Sequence, residues 1–165
     1  MEDIAKGAGM SRPALYLHYA GKEDIFKALV RRHFAQAEQA VAEVLAAGDG
    51  PEMTLLGVLH AIDGDAAEAM LNSPHADEIL SADSGFDQDE VRQAHARITA
   101  QLARWIATGV SDGRLDLRGL GGSAAEVAEA FMACKFGLKA HSKDFAAYRR
   151  AEEVLAAIYA KALSG

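Results

Sequence analysis

The chain has 165 residues, half of them hydrophobic. That length holds one or two small domains with a proper core, and the abundance of alanine and leucine with few β-branched runs favours helices. A single cysteine, Cys134, excludes an internal disulfide and a cysteine-cluster metal site and suits a reducing cytoplasm, while no run approaches the ~18 apolar residues of a membrane span and Met1-Glu2-Asp3 does not read as a signal peptide.

Helical spacing runs through nearly the whole chain, and no stretch alternates long enough for a strand. Residues 2–8 read as a short helix, Gly9-Met10-Ser11 as a tight turn and residues 12–18 as a second short helix, with Ser11 as its N-cap and Pro13 in its first turn. Ala20-Gly21 breaks it. A long helix follows over 22–47, its apolar stripe running from Ile25 and Phe26 to Val44 and Leu45, and Gly48-Asp49-Gly50-Pro51 ends it as a hinge. The pattern then predicts helices over 52–71, 75–82 and 87–111, with Met53, Leu56, Leu59, Ile62 and Met70 inward on the first. Val91, Ile98, Leu102, Trp105, Ile106 and Val110 face inward on the last. A glycine-rich stretch, 111–123, separates these from two final helices over 124–141 and 144–163. The expected fold is all-α: a helix-turn-helix unit with its linking helix over 1–47, and a C-terminal helical bundle over 48–165.

The net charge of −7 argues against nucleic acid only until its distribution is read. Residues 1–34 carry six Lys/Arg against four acids, whereas residues 35–165 carry eleven against twenty. A basic footprint at one end is compatible with an acidic body.

That end also holds the most informative motif. Ile4-Ala5, Ala8-Gly9, Ser11, Leu15-Tyr16, His18-Tyr19, Lys22-Glu23 and Ile25-Phe26 stand in one register. Gly9 allows the left-handed turn that lets two helices cross steeply, and the small Ala5 and Ala8 permit close approach. The second helix then shows Arg12, Pro13, Ala14, Tyr16 and His18 outward: a guanine-capable cation, small groups and phosphate-capable side chains. Over about its first 30 residues the chain resembles the TetR family of transcriptional regulators. The resemblance implies that Ser11 caps the recognition helix and may touch a phosphate, and that Arg12, Pro13 and Ala14 read base edges. It implies too that Tyr16 contacts backbone or a thymine methyl, and that His18 and Lys22 grip phosphates. It further implies a helix ahead of the motif, so the sequence as given is read as cut short at the front. Beyond residue 30 the agreement is one of architecture alone.

The implied function is a regulator, most simply a repressor, that binds a double-stranded operator as a homodimer and answers to a small hydrophobic or aromatic effector. The last two helices, about 124–163, are the expected dimer face, since a two-fold operator demands a dimer. Leu59, His60, Phe86, Trp105, Phe131, Met132 and Lys135 are candidate effector-lining residues, with Arg104 a further polar group to watch. Most of the apolar ones among them are more simply explained as core. Catalytic and metal roles have no support. The groups His60/Asp63/Asp65 and His75/Asp77/Glu78 lack ligand spacing and read as solvated helix faces, and no G-x-S-x-G elbow is present. Cys134 reads as a small buried hydrophobe rather than a sensor. No cofactor is expected. A second reading is an all-helical ligand- or partner-binding protein that has lost DNA binding.

Overall fold

The computed structural model describes residues 1–64, 68 and 88–165, apart from the side chains of Gln88, Lys139 and Ala140. Among the described residues the chain forms seven helices and no strand: α1 (Glu2–Gly7), α2 (Arg12–His18), α3 (Lys22–Ala46), α4 (Pro51–Asp63), α5 (Gln88–Ser111), α6 (Ala124–His141) and α7 (Phe145–Leu163). The expected helix over 75–82 lies outside the described residues, as do Met70, Phe86 and the His75/Asp77/Glu78 group. No helix among the described residues is long and apolar enough to cross a membrane.

Local chemistry sets most of the helix ends. The Ser11 hydroxyl accepts a hydrogen bond from the Ala14 N–H at 3.3 Å, and Pro13 occupies the first turn of α2, where its missing N–H costs nothing. Ser123 and Glu126 form a reciprocal capping box at the start of α6. The Asp144 carboxylate accepts from the Ala147 N–H to open α7. Gly9 and Gly64 take left-handed backbone angles, φ 66° and 61°, which only glycine adopts freely. Gly64 therefore stops α4 at Asp63, short of the 52–71 helix that apolar periodicity alone predicts.

The core lies between α3, α4, α5, α6 and α7. Val41, Val58, Leu59, Ile98, Leu102, Phe131 and Ala156 have no accessible surface there. Fully burying such aliphatic or aromatic side chains stabilises by about 1.5–3 kcal/mol each before chain entropy is subtracted. The buried face of α5 runs through Ala94, Ile98, Leu102 and Ile106, a strict four-residue step. Val110, expected inward, is partly exposed, because this row passes through Gly109 instead. There the chain folds back after α5, Leu115 donates its N–H to the Gly109 carbonyl at 2.9 Å, and its buried side chain lies against Gly109.

Helix α3 joins the N-terminal unit to this body. It packs on α4 and α5. Two ion pairs tie it to α5, Arg31 with Glu90 and Glu38 with Arg97, the latter through both carboxylate oxygens. Both partners advance by seven residues, so α3 and α5 run parallel and meet on the same face two turns apart. Exposed pairs of this kind add little stability, but they fix register. Between them Phe34 meets His95 edge-on, with ring centroids 5.0 Å apart, and His95 in turn packs against Phe136 of α6.

Candidate functional site

Helices α1 and α2 pack against each other around Ala5 and Leu15, both almost fully buried. Small Ala5 lets the helices approach, and Leu15 supplies the apolar contact. This leaves the opposite side of α2 in solvent. Ser11, Arg12, Pro13, Tyr16 and His18 are exposed, Lys22 is exposed at the first turn of α3, and Ala14 is half-buried. Arg12 and Tyr16 stand one helical turn apart, and the guanidinium carbon lies over the Tyr16 ring, 5.7 Å from its centre. The pair presents a planar five-donor cation beside a phenol. Leu17, at 84% accessible, is the most open large apolar residue of the same helix.

The charges around this surface are arranged for anions. Among the described residues Lys6, Arg12, Lys22 and Arg32 have no ion-pair partner, whereas Lys27 pairs with Glu23 and Arg31 with Glu90. Asp24 is occupied in accepting the Ala20 N–H at 3.1 Å, which fixes the turn between α2 and α3. Seven side chains singled out in sequence are thus held by one short capped helix and the start of the next.

The effector candidates are dispersed. Leu59, Phe131 and Met132 are core residues with no surface to offer. His60 and Lys135 meet in a polar cluster joining α4, α6 and α7. Lys135, 3% accessible, donates to Asp63 Oδ1 at 2.9 Å, to Glu152 Oε1 at 2.9 Å and to the Tyr148 hydroxyl at 2.7 Å. Arg149 Nη1 donates to Asp63 Oδ2 at 3.2 Å and to Glu152 Oε2 at 2.7 Å, and Tyr148 Oη donates to Asp63 Oδ1 at 3.1 Å. Two cations face two carboxylates, and each of the three Lys135 N–H donors finds an acceptor. Burial, then the charges of Asp63 and Glu152, push the Tyr148 hydroxyl far above its ordinary range, so it remains a neutral donor. The half-exposed His60 imidazole stands 3.9 Å from Glu152, yet burial and the Arg149 charge hold its pKa below 6.5.

This cluster corrects two expectations. Asp63 is not on a solvated helix face: it is buried as the α4 anchor of the network. Lys135 has its hydrogen-bonding capacity consumed internally. Sequence reasoning missed Tyr148, Arg149 and Glu152. The signal was present, since Tyr148 and Glu152 continue the buried α7 row of Leu155, Ala156 and Leu163, where polar residues demand partners. Cys134 is also corrected. It is exposed, with its sulfur 3.9 Å from the Tyr159 hydroxyl.

Trp105 sits elsewhere. It lines an open groove of about 370 Å³ between the C-terminal half of α3 and α5, with Ala42, Leu45, Ala46, Gln101, Arg104, Thr108 and Arg114. Of the other effector candidates among the described residues, none lines it.

Residues 1–29 match the family described as bacterial regulatory proteins, tetR family. The match covers α1, α2 and the first turns of α3 and ends before the body begins. No solved structure matches the chain.

Proposed function

We propose that this tetR-family DNA-binding regulator acts as a homodimeric repressor whose hold on its operator is modulated by a small effector. The observation that carries the reading is the Ser11-capped helix α2, which offers Arg12, Pro13 and Tyr16 to solvent beside cations that no carboxylate among the described residues neutralises. A helix so presented fits a major groove, with Arg12 suited to a guanine edge and Lys22 and His18 to flanking phosphates. Ser11 at a helix start is equally suited to a phosphate oxygen.

Two reading heads are needed for a two-fold operator, with half-sites about 34–36 Å apart. Support for a second copy comes from the outer face of α6 and α7. Val154 and Ile158 of α7 are exposed there, as are the small Ala130, Ala133 and Gly137 of α6, an apolar surface that two protomers can cover. The division into a reading unit over 1–47 and a bundle over 48–165 follows the same logic. Helix α3 is the lever, carrying the reading head at one end and packing against α4 and α5 along its length. An effector acts by binding one tilt of that lever better than another.

A band-shift series on DNA flanking the gene, run at several salt concentrations, tests the reading. Arg12→Ala is expected to weaken operator binding by about 5- to 150-fold, the worth of one good base contact of ~1–3 kcal/mol. Lys22→Ala is expected to weaken all sequences alike and to lower the salt slope by about one. Equal binding of wild type and Arg12→Ala at every salt concentration overturns the assignment.

A further inference from the structure

The groove beside Trp105 combines apolar residues packed on the edge of the core with two arginines that the core does not explain. On α3, Ala42, Leu45 and Ala46 form an aliphatic wall at helical spacing. On α5, Gln101, Arg104, Trp105 and Thr108 form the opposite wall, and Arg114 arrives from the turn after that helix. Two guanidinium groups therefore stand on a groove to which no carboxylate among the described residues contributes, in a chain of net charge −7. Arg114 already pairs with Asp112, but Arg104 is exposed and has no ion-pair partner among the described residues.

We propose that this groove binds a small aromatic carboxylate and, resting on the effector-responsive reading above, that it is where the effector acts. A guanidinium holds a carboxylate through two parallel hydrogen bonds, in a plane that suits Arg104 at the rim. The half-buried indole of Trp105 is part of the lining, a side chain suited to an aromatic ring, and the small Ala42 and Ala46 stand on the α3 wall. A volume of about 370 Å³ is at the small end for ligand sites, appropriate to one or two rings. The groove spans α3 some twenty residues beyond Lys22, about 30 Å along the helix at 1.5 Å per residue. A ligand there touches both the lever and the body, so it discriminates between their relative positions.

Trp105 is the single tryptophan of the chain, so its fluorescence reports on this groove alone. The full-length protein is titrated with 4-tert-butylbenzoate and, in parallel, with the neutral 4-tert-butylbenzyl alcohol. The expected result is a saturable change with the carboxylate, at least tenfold weaker binding of the alcohol, and a comparable loss for the carboxylate in Arg104→Gln. Arg104 is exposed, so this variant keeps its circular dichroism spectrum. Absence of a saturable change, equal binding of the alcohol, or an unaltered Arg104→Gln titration each overturns the site. Band shifts with and without the carboxylate separate the two parts. Fluorescence binding with unchanged operator affinity upholds the site and removes its effector role, whereas absence of operator binding both with and without the carboxylate, alongside intact fluorescence binding, refutes the DNA-binding reading instead.

Discussion

Replacing Lys135 with methionine tests how the body is held together. The substitution keeps the length of the side chain and removes its charge. It leaves Asp63 and Glu152 buried, with Arg149 as their remaining cationic partner. Three hydrogen bonds of 2.7–2.9 Å are lost, two of them to carboxylates. Breaking a buried pair from one side costs about 3–5 kcal/mol, because the uncompensated charge remains in a poorly solvated place. For a protein of this size each kcal/mol shifts Tm by about 2–4 °C, so the expected drop is about 6–20 °C. Urea unfolding at fixed protomer concentration measures it. A further outcome follows from the same physics: adding Glu152→Gln to Lys135→Met removes one of the stranded charges and recovers part of the loss. A loss below about 1 kcal/mol, or a double variant less stable than the single one, refutes the claim that Lys135 compensates these carboxylates.

Other expectations concern packing and protonation. An alanine at Gly109 would place its Cβ 2.6 Å from Leu115 Cδ1 and 2.7 Å from Cγ, with Leu115 itself buried. Overpacking of about 1–3 kcal/mol outweighs the helix-propensity gain of ~1 kcal/mol, so Gly109→Ala lowers Tm by a few degrees in a thermal melt, and a rise would show that the loop yields freely. His60 has its pKa lowered from 6.5 by burial and then by Arg149. A lowered histidine pKa means that the folded state takes up its proton later than the unfolded one. The stability this confers is present above pH ~6.5 and is lost as pH falls through that value toward the folded pKa. The wild-type Tm is therefore expected to fall more steeply than that of His60→Gln between about pH 7 and 5.5, and parallel curves exclude His60 as the cause.

The reading head is legible in sequence because its determinants are local. Ser11 caps the helix that it precedes, Pro13 fits the first turn, and Gly9 takes the positive φ its position requires. The same holds for the boundaries of α3, α5, α6 and α7, which fall within a residue or so of the helical pattern. Gly64 shows where periodicity misleads. The apolar rhythm continues past it, but one left-handed glycine ends α4 at Asp63. The exposure of Ser11, Arg12, Pro13, Tyr16 and His18 needed no tertiary knowledge, since a short helix packed through Ala5 and Leu15 must turn its remaining faces outward.

The body is different, because the role of a side chain there depends on what another helix brings to it. Periodicity placed Leu59, Phe131 and Met132 on apolar faces, and only packing made them solid core. Asp63 and Lys135 are 72 residues apart in the chain, and neither announces its partner. Their contact exists because α4, α6 and α7 converge, and that burial turns surface-type residues into a paired network with Tyr148, Arg149 and Glu152. Likewise, Trp105 and Arg104 acquire a groove only because α3 and α5 run parallel with Ala42, Leu45 and Ala46 opposite them. The sequence by itself determined the helices and the outward-facing side chains of the short second helix, which depend on interactions within a few positions. Tertiary structure alone decided which polar groups are buried together and where a ligand has room, since both depend on distances between helices that local propensity does not encode.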